Sequence, residues 1–89
     1  MNITKKESWD DLKNSGDYLI IVKDVNGNKE NAGVILKCVC GDIISLSNTV
    51  HTFKSYDPLD IEPSILHIRD DKSLPNCHYF IREGKYIQG

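Results

Sequence analysis

From Tyr18 onward the chain gathers aliphatic, β-branched and aromatic residues into short runs separated by turn formers, whereas residues 1–16 carry apolar side chains only at intervals. The two patterns predict different structures. Thr4 followed three residues later by Glu7 has the form of a capping box, in which hydroxyl and carboxylate satisfy each other's backbone N–H groups. That signal predicts a helix from Lys5 to Asn14, with Trp9 and Leu12 on one narrow face and Ser15-Gly16 ending it.

Tyr18 to Val25 reads as a strand that ends at Asn26-Gly27, a pair suited to the positive φ angles of a tight reversal. A polar loop through Asn31 is expected next, then a second strand from Ala32 to Cys40. Gly41-Asp42 separates it from a strand over Ile43–Ser47, a spacing that favours a two-residue hairpin. Asn48 to Pro63 reads as a long irregular connection punctuated by Asp57-Pro58 and Glu62-Pro63, with Val50 to Tyr56 only weakly strand-like. Ser64–Arg69 resumes extended structure, Asp70–Asn76 forms a loop, and His78–Arg82 pairs with Lys85–Gln88 across Glu83-Gly84.

The expected fold is therefore α+β: a short N-terminal helix followed by a mostly antiparallel, strongly bent sheet of five or six strands, or a partly open small barrel. Residues 1–89 form a single domain, since neither repeat nor linker interrupts them. The order of elements is similar to that of Sm-like and SH3-like barrels, although the short sequence signatures of those families are absent.

Length and charge narrow the picture. A chain of 89 residues supports one core, whose monomer stability is modest, and exposed strand edges favour a homo-oligomer. The net charge of −2, with basic residues scattered along the chain, argues against nucleic acid as a partner, because phosphate contacts need clustered Lys and Arg. No apolar run is long enough for a membrane span, and the first residues are polar where a signal peptide turns apolar. Three cysteines, an odd number, suit reduced thiols in a cytoplasmic protein better than a disulfide framework. Eleven isoleucines, nine lysines and seven asparagines against one alanine and two arginines indicate an A/T-rich genome, such as that of a low-GC bacterium or its phage.

Candidate chemistry is sparse. Cys38 and Cys40 sit two apart in a predicted strand, and with Cys77 and His78 they could complete a tetrahedral zinc set. The C-x-C spacing departs from the usual knuckle, and the same face continues through Val34 and Leu36, so the expectation is core cysteines with neither metal nor cofactor. His51, His67 and His78 have no nucleophile in a recognisable motif, and His67 is expected to face solvent or the loop side. Asp57, Asp60 and Glu62 lack the spacing of a calcium loop, and like Asp70-Asp71 they read as solvated loop charge.

The stretch from Val50 to Tyr56 is the most suggestive. His51, Phe53, Lys54 and Tyr56 combine flat apolar faces with donors and charge, the residue types that binding hot spots and base-stacking surfaces use. The functional expectation is a non-enzymatic small binding protein, with no catalytic residues, that sequesters a small-molecule or nucleotide ligand or occupies a protein partner. A phage-encoded inhibitor of a host defence system, working in the bacterial cytoplasm, is its most specific form. Two alternatives stand beside it: a small-barrel nucleic-acid-binding module, and a zinc- or thiol-dependent enzyme built on Cys38, Cys40, Cys77 and His78.

Overall fold

Eight strands form two four-stranded sheets in a computed structural model that describes residues 1–89. The first sheet contains β1 (Thr4–Lys5), β2 (Asp17–Val25), β3 (Asn28–Lys37) and β4 (Ile43–Ser47), in that spatial order. The second contains β5 (Thr52–Tyr56), β6 (Leu59–His67), β7 (Cys77–Arg82) and β8 (Lys85–Gln88), likewise in chain order. Every pairing is antiparallel except β1 with β2, which run parallel.

The α+β expectation is overturned at the N-terminus. The segment from Lys5 to Asn14 contains only a single 3-10 turn, Trp9–Asp11, and no α-helix. The backbone groups that a capping box would use are taken by sheet: the Thr4 N–H donates to the Gly16 carbonyl at 2.9 Å and the Lys6 N–H to the Tyr18 carbonyl at 2.8 Å. Glu7 instead accepts from the Lys5 ammonium at 2.9 Å. Trp9 stays 59% exposed while Leu12 is buried, so the two do not share a buried face. Upstream, the Ile3 N–H reaches the Gly84 carbonyl and the Tyr86 N–H reaches Met1, so residues 1–5 lace β8 of one sheet to β2 of the other. An extended segment satisfies both sheets and buries Ile3, which a surface helix with so narrow an apolar stripe could not do.

The single bent sheet or barrel is overturned as well. No ladder joins β4 to β5, so the strands make two open sheets and the barrel does not close. The strand count rises because the stretch expected to be irregular is itself a ladder. Asp57-Pro58, a cis peptide, lies at the tight connection between Tyr56 and Leu59, which face each other across β5 and β6. Glu62-Pro63, also cis, falls where the β6–β7 register is interrupted between Ile61 and Ile65, the kind of irregularity at which a strand tolerates a residue without an N–H.

Two of the three glycine-bearing hairpin turns form as their sequences predict, with Asn26 and Gly27 at φ 53° and 83° and Glu83 and Gly84 at 50° and 75°. β3 begins directly after the first of them, at Asn28, in place of the expected polar loop. The hairpin expected at Gly41-Asp42 is wider than two residues. Lys37 pairs with Ile43, and Cys38–Asp42 form a five-residue loop closed by a 2.7 Å bond from the Cys38 N–H to the Asp42 carbonyl.

The two sheets share one core. Tyr18, Val34, Leu36 and Leu46 from the first meet Leu59, Ile61, Ile65, Tyr79 and Ile81 from the second, with Ile3 and Cys38 at the margins. Two phenols tie the layers together: the Tyr18 hydroxyl donates to the Tyr56 carbonyl at 2.6 Å, and the Tyr79 hydroxyl to Cys38 Sγ at 3.3 Å. Beyond an irregularity at Ile21/Val22, β2 and β3 continue as a two-stranded ribbon away from this core, with every residue from Val22 to Asn31 except Val25 exposed. No helix of the chain is long and apolar enough to cross a membrane.

Candidate functional site

The four residues singled out from sequence lie on β5 and just before it. Phe53 and Tyr56 stack on each other in parallel, with centroids 4.6 Å apart, and pack against the core. His51 is half-buried, its Nδ1 has no partner, and its N–H donates to the Ser47 carbonyl. Lys54 points outward and forms a 2.7 Å ion pair with Glu62 on β6. That pair raises the Lys54 ammonium above its usual range and lowers the Glu62 carboxyl below its own, each mainly through the bond to the other. The structure thus gathers Phe53 and Tyr56 but leaves Lys54 apart from them.

Lys54 belongs to a different surface, the outer face of the second sheet. Strand alternation sends Cys77, Tyr79 and Ile81 inward and His78, Phe80 and Arg82 outward. Across the ladders, Leu66 faces His78 and Phe80 faces Ile87, which makes a continuous strip of apolar and aromatic side chains on three strands. Leu66 is 58% exposed and Ile87 47%. The Arg82 guanidinium covers one end, 5.3 Å from the Phe80 ring centroid, and donates to the Ile61 and Ile81 carbonyls. Its charge also reaches Lys54 at the margin.

A second feature lies at one end of the sandwich. The loop after β3 carries Cys38 and Cys40, and β7 opens with Cys77. Their sulfurs lie within 4.8 Å of one another. Cys38 is fully buried, whereas Cys40 and Cys77 are half-buried beside a cleft that also contains Arg69, Pro75 and Asn76. Burial pushes the Cys77 thiol up to about 12 and raises Cys40 as well. Burial, and then the Cys38 thiol, also drive the Tyr79 phenol upward, so it remains a donor to that sulfur.

His78 does not join this cluster. Adjacent residues of a strand face opposite ways, and the His78 imidazole lies on the outer face, 2.9 Å from Ser64 Oγ. Of the two expectations for His67, solvent or the loop side, the structure shows the second, with its imidazole against the Cys38–Asp42 loop. His67 sits opposite Cys77 in the ladder and 3.2 Å from Asp42 Oδ2, and one of its ring nitrogens, a carboxylate oxygen of Asp42 and Cys40 Sγ form another group within 4.8 Å. His67, and next the Cys40 thiol, hold the Asp42 carboxyl below its usual range.

Sequence reading misses His67 and Asp42 because nothing in their spacing to the cysteines reveals that β6 returns beside the Cys38–Asp42 loop. It misses the outer strip for a different reason. Cys77 to Ile81 is apolar at nearly every position, which marks a strand with something to cover on each side, but the partner strands that complete the strip are not visible before the register is known. Comparison with protein-family models, curated proteins and solved structures finds no match for the chain. The fold and surface features together describe a small two-sheet β-protein with an apolar outer face and a thiol cluster at one end of the core.

Proposed function

We propose that the chain is a non-enzymatic binding protein that acts by occupying a protein partner through the outer face of its second sheet. One observation carries this reading: Leu66, His78, Phe80 and Ile87 form an apolar, aromatic strip that no other layer of the chain packs against, with Arg82 over one end and Lys54 at its edge. Aromatic and arginine side chains at the centre of a patch, with charge at its rim, are the composition of protein-binding surfaces. A net charge of −2 favours a protein partner over nucleic acid. β8 is the last strand of its sheet, so a second copy of the chain is the first partner to consider. Action by occupancy makes the molecule an inhibitor or sequestering factor, and its free thiols suit a reducing cytoplasm.

Site-specific photo-crosslinking tests the reading. A crosslinker at position 87 should capture a discrete protein, either another copy or a cellular partner, and Leu66→Asp should abolish that capture while the circular dichroism spectrum is retained. A crosslinker at Lys29, on the distant ribbon, serves as control. Capture at 87 no greater than at 29, or undiminished by Leu66→Asp, rejects the proposal.

A further inference from the structure

We propose that Cys38, Cys40 and Cys77 bind one zinc ion as thiolates, with His67 as the fourth ligand and Asp42 orienting its imidazole. The three sulfurs already lie within 4.8 Å of one another. In a tetrahedral centre with Zn–S bonds of about 2.3 Å, sulfurs stand about 3.8 Å apart, so closing on an ion takes side-chain rotation and no movement of strands. The loop supports this. The Gly41 N–H donates to the Cys38 carbonyl at 2.8 Å, which wraps the C-x-C segment into a turn with both thiols directed to one point. In the extended strand that the sequence suggested, the same two residues would simply continue a core face.

The fourth ligand follows from register. His67 stands directly opposite Cys77, and facing residues of an antiparallel pair share a side of the sheet. Cys40 belongs both to the thiol group and to the group it forms with Asp42 and His67, so the two sets of donors adjoin. The 3.2 Å contact of His67 Nε2 with Asp42 is the carboxylate–imidazole arrangement that fixes ring orientation in metal sites and leaves the other nitrogen to ligate. The Tyr79 hydroxyl, 3.3 Å from Cys38 Sγ, supplies a buried donor to a thiolate there.

Binding releases three protons to solvent, one from each thiol, and the ion accepts three sulfur lone pairs and one nitrogen lone pair. The resulting centre carries one net negative charge, next to the Arg69 side chain that lines the same cleft. A tetrahedral set of three soft sulfur donors and one imidazole nitrogen selects zinc over calcium or magnesium, which prefer oxygen. Two of the ligands come from the loop after β3 and two from β6 and β7, so the ion joins the first sheet to the second at one end of their shared core. Four protein ligands make it a closed, structural site.

The test is metal analysis of the full chain purified under reducing conditions, followed by replacement of the metal with Co²⁺. One zinc per chain is expected, and the cobalt form should show thiolate-to-metal charge-transfer absorption with the intense visible bands of a tetrahedral centre. Cys40→Ser and Cys77→Ser, at half-buried positions, should each lower the charge-transfer intensity by about one third while far-ultraviolet dichroism is kept. His67→Gln should preserve the charge-transfer band and shift the visible bands. Asp42→Asn, at a positioning residue, should weaken affinity by about 10–100-fold without altering the cobalt spectrum. A reduced wild-type chain that takes up no zinc or cobalt overturns the proposal, as does uptake unaffected by either serine variant. A cobalt spectrum indifferent to His67→Gln removes the histidine from the ligand set.

Discussion

At the scale of single residues, the outcome is decided by which face of a strand each side chain takes. Lys54 is the clearest case. Read in sequence it belongs with Phe53 and Tyr56, yet those rings turn toward the core while its ammonium lies against Glu62. Because the Glu62 carboxyl titrates below its ordinary 4.5 in the folded chain, the pair contributes stability above that pH. The contribution disappears as the pH falls through the lowered value, where the folded carboxylate takes up its proton. Carbon-13 NMR titration should place Glu62 below 4.5 in the wild type and return it close to that figure in Lys54→Met. An unchanged Glu62 titration in the variant would show that the ion pair is not formed in solution.

At the scale of elements, hairpins with a local signature were legible and long-range ladders were not. Asn26-Gly27 and Glu83-Gly84 announce their turns because the positive φ angles they adopt are properties of two adjacent residues. The N-terminal segment misleads for the same reason. A capping box is also a local signal, but the competing bonds from Thr4 to Gly16 and from Ile3 to Gly84 depend on strands far along the chain. The thiol cluster divides in the same way, since Cys38, Cys40 and Cys77 could be grouped from the sequence whereas His67, in place of His78, arrives only through the β6–β7 register. Gly33 illustrates how tightly such ladders are fitted. A Cβ at this position would run into the Leu46 carbonyl oxygen, with the backbone at φ 151°. Gly33→Ala should therefore destabilise the fold by about 1–3 kcal/mol in denaturant titrations, the typical cost of overpacking. A midpoint equal to the wild type would mean that β3 and β4 separate more freely than their register implies.

At the scale of the molecule, two open sheets are made into one body by shared side chains and by the backbone bonds of the first five residues, not by a ladder from β4 to β5. Tyr18 and Tyr79 each cross from one layer to the other, residues 1–5 lace them along one side, and the zinc proposed above would fasten them at one end. The ribbon of β2 and β3 stands outside this arrangement. Past Ile21 it meets no second layer, and the chain reaches 45 Å along its longest axis. Its amides from Lys23 to Glu30 are thus guarded only by each other, and in deuterated buffer they should exchange well before those of Tyr18, Leu36 or Ile81. Protection of the whole ribbon equal to that of the core would contradict this. A segment so placed can fray and re-zip without loosening the rest, which makes it the part of the molecule where extra residues can be accommodated at least cost to folding.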